Sequence, residues 1–303
     1  MSRGDSRDSR YHAVAVAAAE FFAAGAGGRA RWATAAVLAI AALSGACGRA
    51  ETVAEPPAQL EPPPLVLSLS RDVSELLVEL GVGASVVGAD SASLAVPGLV
   101  NAVDLGLGGE HAADLANALR VDLAIGLGDA TGQALAAALE QRGVSTVLLA
   151  PRSSNEVMEA LQRLGAIVHR EKRAAIIAAR ITREVSEINT RRDGRPRLVA
   201  AWLLEQDPPV VVGGTGLLHE LLELAGADNA FHGPQGERIR VTSAELAASA
   251  ADLWLDSTGA PRGAASLVVP SGVPLTVVPP ELARLPALDL VSRVRRLHAL
   301  LYP

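Results

Sequence analysis

Ser153–Arg191 reads SSNEVMEALQRLGAIVHREKRAAIIAARITREVSEINTR, with no proline and a single glycine, Gly165. Val157, Met158, Leu161, Leu164, Ile167 and Val168 recur at helical spacing, and so do Ile177, Ile181, Val185 and Ile188. Ser153 followed by Glu156 has the form of a capping box, which satisfies free backbone donors at a helix start. A break at His169 and Arg170 divides the stretch into a short helix to Val168 and a long one over about Glu171–Thr190. A helix of roughly twenty residues spans about 30 Å, the width of a small domain. Placed between two similar halves, it reads as a rigid spacer joining two lobes, with the function expected between them.

Both flanks alternate strand and helix patterns. On the amino side Leu65–Ser70, Val86–Ala89, Leu123–Leu127 and Thr146–Leu149 read as buried strands, separated by helices over Asp72–Leu80, Asp114–Leu119 and Thr131–Gln141. On the carboxyl side strands are predicted over Arg197–Leu204, Val210–Val212, Leu253–Asp256 and Leu275–Val278. Helices are predicted there over Leu217–Ala225, Ser243–Ala250 and Leu288–Leu301, with 258–274 mostly loop. The expected fold is α/β: two lobes, each a mostly parallel sheet flanked by helices, joined by one long helix, with a ligand cleft between them. The boundaries expected are a first lobe over 65–153, connecting helices over 154–190 and a second lobe over 191–303.

Half of the 303 residues are hydrophobic, enough for one large core or two smaller ones. A net charge of -6, with both signs scattered, argues against nucleic acid as a partner. The single cysteine, Cys47, leaves no disulfide within the chain. Its setting is informative. Arg29 and Arg31 precede the apolar run Ala33–Leu43, followed by Ser44, Gly45, Ala46 and Cys47. A basic flank, a run short for a bilayer span and small residues before a cut point describe a secretory signal over 1–47. The LSGAC ending looks like a bacterial lipobox, in which Cys47 receives lipid, although its leucine stands four residues before the cysteine rather than three. The competing reading is a buried cysteine after an apolar helix. Residues 48–64 are proline-rich and polar, as in an extended linker holding a folded body off a membrane.

Catalytic signatures are approached and missed. His219-Glu220-Leu221-Leu222-Glu223 lacks the second histidine of a zinc-binding HExxH. Gly213-Gly214-Thr215-Gly216 precedes a helix and could offer backbone donors to an anion, but no phosphate-loop lysine follows, and a tight turn explains it equally. There is no GxSxG elbow, and no two histidines stand at metal-ligand spacing. The protein therefore reads as a binder rather than an enzyme. Open parallel sheets bind ligands at the carboxyl ends of their strands. Those ends carry Arg71, Asp72, Asp90, Ser91 and Asp129 in the first half, and Glu205, Gln206 and Ser257 in the second. His111, on a loop before its helix, and Trp202, inside a strand, are further candidates for the cleft.

Over about 65–303 the chain resembles the helical-backbone substrate-binding proteins of bacterial ATP-binding cassette importers for iron-siderophores, haem and cobalamin. The residues that carry this are LSLSRDVSELLVELGVGASVVGAD at 67–90, ADLANALRVDLAIGL at 113–127, VVVGGTGLLHELLELAGADNAF at 210–231 and the closing LVSRVRRLHALLYP. The resemblance implies two α/β lobes, little hinge closure, and partnership with an inner-membrane permease and its ATPase subunits. It also implies one acidic residue per lobe that docks onto the permease, matched by Asp114 and by Glu245, the latter only with a one-residue gap. The ligand order it implies is cobalamin first, then a ferric siderophore or haem, with no resident cofactor. Where relatives carry tyrosines before a proline, this chain has Ser91–Val96 before Pro97, and no tyrosine near the cleft to ligate haem iron. The alternative is an accessory lipoprotein that keeps the scaffold as an interaction module. The anchor reading predicts that Cys47→Ser leaves the body folded but releases it from the membrane fraction. Wild-type protein recovered outside that fraction with an unmodified cysteine would overturn it.

Overall fold

Short apolar runs between turn residues build the first lobe. The structure, a computed structural model, describes residues 62–106, 109–191, 194–233, 236–259 and 272–303, so Cys47 and the segment before it lie outside the described residues. Strands β1 (Val66–Ser68), β2 (Val86–Ala89), β3 (Val103–Asp104), β4 (Leu123–Leu127) and β5 (Ser145–Leu149) form one sheet in the order β3-β2-β1-β4-β5. Every pairing in it is parallel. Helices α1 (Arg71–Glu79), α2 (Gly109–Leu119) and α3 (Ala130–Glu140) connect the strands. Each crossover returns the next strand in the same direction, which leaves all five carboxyl ends on one edge. Ser70 caps α1 by accepting from the Val73 N–H, and Asp129 caps α3 by accepting from the Gly132 N–H at 2.7 Å.

The pivotal stretch forms α4 (Ser154–Ile167) and α5 (Glu171–Thr190), with the break where the sequence placed it: His169 has φ 56, a left-handed conformation that ends a helix. Ser153 Oγ accepts from the Glu156 N–H at 3.1 Å, but the Glu156 carboxylate accepts from the Arg152 N–H rather than from Ser153, so the box is only half formed as expected. Gly165 has no Cβ because one would sit 2.5 Å from the Cβ of Ala174, and its absence lets α4 and α5 touch.

The second lobe contains β6 (Leu198–Gln206), β7 (Pro209–Val212), α6 (Leu217–Leu224), β8 (Ala227–Asn229), β9 (Arg238–Arg240), α7 (Ser243–Ala247), β10 (Leu253–Asp256), β11 (Leu275–Val277) and α8 (Leu290–Leu301). Its sheet runs β11-β10-β6-β7-β9, with β8 also on β6. Here the sheet is mixed, because β6 turns back through Asp207 and Pro208 into an antiparallel β7, and β9 pairs antiparallel with β7 in turn. Period-two reading marks strands but not their direction, and strands as short as β3, β8 and β9 carry too few residues for any period.

The buried stripe of α5, Ala174, Ile177, Ile181, Val185 and Ile188, belongs to one hydrophobic cluster with Val73 and Leu77 of the first lobe and Leu218, Leu221 and Val294 of the second. Polar contacts follow the same seam. Arg180 of α5 pairs with Glu79 of α1, Arg295 of α8 pairs with Glu184 of α5 at 3.0 Å, and the Ser154 N–H donates to Glu220 at 2.6 Å. The exposed pairs contribute little by themselves; the apolar stripe carries the joint. Ile177→Ala is expected to cost about 2–5 kcal/mol, read as a lower urea midpoint. It should lower the stability of both lobes together, in a single transition.

Candidate functional site

The edge formed by the strand carboxyl ends of the first lobe faces the segment that follows β11 in the second. Between them lies a cavity of about 600 Å³. The first lobe lines it with Leu69 and Arg71–Asp72 after β1, Asp90 after β2, Asp129 after β4, and Glu75 one turn into α1. The second lobe lines it with Glu281, Arg284 and Pro286, and with Asp289, Arg293 and Arg296 at and beyond the start of α8. An adjoining hollow of about 650 Å³ shares Leu69, Asp90, Ala92 and Thr131 and extends over the first lobe to Gly106, Ala134 and Leu135. Among the described residues, no aromatic side chain lines either. Among the described residues, no group of three or more His, Cys, Asp or Glu is placed to hold a metal ion.

Much of the charge in the cleft has a partner within its own wall. Arg71 donates to Glu75 at 2.8 Å across one helical turn, with both side chains about half exposed, and not to Asp72 or Asp90. Asp90 accepts from the buried Ser93 hydroxyl. Asp72 Oδ2 accepts from the Leu288 N–H at 3.0 Å, a direct bond between the lobes. Burial first, and then repulsion from Asp289, holds the Asp72 carboxyl above its ordinary value of 3.8. Arg293 is buried; it pairs with Asp289 and donates to the carbonyls of Leu282 at 2.9 Å and Arg284 at 2.8 Å. It thereby fixes the turn that forms the cleft's second wall. Arg296 donates to Glu281 at 2.8 Å.

The structure brings together Arg71, Asp72, Asp90 and Asp129 and keeps Trp202, Thr215, Glu205 and His111 out of that cavity. Trp202 is fully buried and its indole N–H donates to the Ser257 hydroxyl at 3.0 Å, so it is core and not a cleft surface. It stands mid-strand between helices and sheet, and Ser257 at the end of β10 is drawn inward to satisfy it. Thr215 does not line the cavity either. Its hydroxyl accepts from the Gly236 N–H at 3.2 Å, while the Gly213 and Thr215 N–H groups donate to the carbonyls of Glu237 and Gly236. A Cβ on Gly213 would lie 2.2 Å from the Gly236 carbonyl oxygen. The glycines there allow two backbones to meet, and the Gly213 and Thr215 donors are spent on that contact. Glu205 pairs with Arg238 at 2.7 Å because β6 continues into its hairpin instead of ending at the cleft. His111 lies within the first turn of α2 rather than on a loop before it, because that helix starts at Gly109, and it is exposed beside Gly106 at the rim of the second hollow.

Asp114 is exposed and accepts from Arg142 at 2.6 Å. Glu245 completes a true capping box, accepting from the Thr242 N–H at 2.7 Å and hydroxyl at 2.8 Å, and these bonds hold its carboxyl below the usual range. The second wall was missed in the sequence, although the rule that named Arg71 and Asp90 applies equally to the end of β11. PPELARLP reads as an unpatterned turn, and its importance depends on which lobe surface it faces.

The periplasmic binding protein family matches residues 66–273. The chain belongs to that family. No curated protein matches it at the level of sequence. Solved structures share its fold. A transporter substrate-binding protein from Listeria monocytogenes is 15% identical with a TM-score of 0.64, over 79% of this chain and 99% of its own. The periplasmic haem-binding protein of Vibrio cholerae is 19% identical, with a TM-score of 0.62 over 78% and 98%. The periplasmic vitamin B12-binding protein of Vibrio cholerae is 14% identical, with a TM-score of 0.56 over 79% and 97%. Among the described residues, no helix is long and apolar enough to cross a membrane.

Asp72 gives this family member a pH-dependent joint. Its raised value means that the folded state holds the proton more tightly than the unfolded chain. Its contribution to stability therefore falls as pH rises from the unfolded value to the folded one. Asp72→Asn keeps an acceptor for the Leu288 N–H and removes the buried charge. Its stability relative to wild type should rise across that window and then level off, as measured by urea unfolding at a series of pH values. A difference independent of pH would show that Asp72 does not titrate in the joint.

Proposed function

We propose that this periplasmic binding protein is the substrate-binding component of an ATP-binding cassette importer, capturing a metal chelate between its lobes and delivering it to a membrane permease. The observation that carries this reading is the 600 Å³ cavity, walled by both lobes at the carboxyl ends of β1, β2 and β4 and backed by a helix packed on both. A preformed cleft between joined lobes binds by preorganisation, without the ordering cost of a large closure. Asp114 and Glu245, both exposed and one on each lobe, are the acids we assign to permease docking. Cys47 is the residue we assign to a lipid anchor.

The lining ranks the ligands differently from the family likeness. Flat macrocycles such as haem are gripped by aromatic and apolar surface, and this cleft offers mainly carboxylates and guanidiniums. A hydrophilic ferric siderophore therefore stands ahead of cobalamin and haem. Titration of the purified chain with ferric siderophores, cobalamin and haem, followed by calorimetry because Trp202 is buried in core, tests the reading directly. Failure of all three classes to bind would leave the accessory-lipoprotein alternative. For the ligand that binds, Arg71→Ala should cost about 1.5–3 kcal/mol of affinity, the range for charged hydrogen bonds. The melting temperature should hardly move, since the exposed Arg71–Glu75 pair stabilises the fold little. Unchanged affinity would remove Arg71 from the site.

A further inference from the structure

The two walls of the cleft differ in charge. Of the ionisable groups facing the cavity, the first lobe supplies Asp72, Glu75, Asp90 and Asp129 against Arg71 alone. The second supplies Arg284, Arg293 and Arg296 against Glu281 and Asp289. The partners within each wall sharpen this difference. On the first wall, Asp90 and Asp129 are met only by a hydroxyl and a backbone N–H, so their negative charge is solvated but not neutralised. On the second wall, Glu281 and Asp289 each form an ion pair with another arginine, so Arg284, though it feels the Glu281 charge, has no ion pair of its own. Arg284 is exposed to the cavity and is the one charged group lining it whose side chain has no hydrogen-bond or ion-pair partner among the described residues. Its backbone is nevertheless held, because the buried Arg293 donates to its carbonyl. A guanidinium without an ion pair of its own, carried on a fixed turn and facing carboxylates without cationic partners across a cavity, makes a two-ended electrostatic site.

From this we infer that the cleft selects a dipolar metal chelate, one carrying a free cationic group that meets Asp90 and Asp129 and a free anionic group that meets Arg284. The inference rests on the binding reading above and adds the chemistry of the ligand's periphery. A guanidinium suits a carboxylate because it can donate two parallel hydrogen bonds. Charge complementarity of this kind orients the ligand between the lobes and rejects chelates with the wrong end-groups, whose charge would be left unpaired.

Four linear or cyclic ferric trihydroxamates test it with the metal centre held constant. One bears both a free ammonium and a free carboxylate, one only the ammonium, one only the carboxylate, and one, macrocyclic, neither. Calorimetric titration of the full chain should show the first binding about ten- to a hundredfold tighter than the last. Arg284→Gln should weaken both carboxylate-bearing chelates about tenfold or more and spare the other two. Asp129→Asn retains the helix cap, since asparagine caps as well as aspartate. It should weaken both ammonium-bearing chelates and spare the rest. Circular dichroism that matches wild type shows that each variant is folded. Equal affinity for all four, or an Arg284→Gln loss shared by all four, would overturn the inference and leave the binding reading standing. Binding of cobalamin or haem with none of the four bound would do the same. No binding of any of the six would overturn both.

Discussion

The buried stripe on the long helix is the constraint from which the rest of the architecture follows. Ala174, Ile177, Ile181, Val185 and Ile188 occupy one face of a 20-residue helix and lose contact with water only if both lobes pack on it at once. Each isoleucine or valine so buried is worth roughly 1.5–3 kcal/mol, more than the exposed ion pairs along the same seam supply. Two separate α/β layers thereby become one body, and residues 60–303 form a single compact unit. The geometry of the cleft is a consequence. With the backs of the lobes fixed, the distance between the walls is largely set before a ligand arrives.

The walls themselves are held by polar groups at the cleft's own edge. Arg293 ties the turn at Leu282 and Arg284 to α8, and Asp72 ties α1 to the Leu288 N–H. A buried arginine that satisfies two carbonyls and a carboxylate fixes backbone that no regular ladder holds. This explains why a segment between a three-residue strand and the last helix can present charged side chains in register with the opposite lobe. The same economy of partners explains the inward turn of Ser257 and the closed glycine turn at Gly213. At both places a polar or small residue beside the expected site serves packing.

Family likeness and local chemistry carry different information here. Relatives with the same fold include a haem-binding and a vitamin B12-binding protein, at identities too low to convey a ligand. The described lining residues of the cleft are largely charged and include no aromatic, and that surface is the chain's own evidence about its ligand. Fold sets where a ligand sits, and side chains on the strand ends decide which one.

The sequence by itself determined the long helix and its approximate ends, the helix break at His169 and Arg170, the parallel first sheet and the placing of Arg71, Asp90 and Asp129 at strand ends. These are local or periodic properties: helical spacing, caps and the rule that crossovers keep strands parallel all operate within a few tens of residues. Tertiary structure alone decided the direction of β7 and β9, the burial of Trp202, the use of the Thr215 turn, and the arrival of Arg284 and Arg296 opposite the first lobe. None of these has a sequence period. Each depends on which surface a residue meets after the chain has closed on itself, and contacts between positions as distant as Asp72 and Leu288 leave no mark in the local pattern of either.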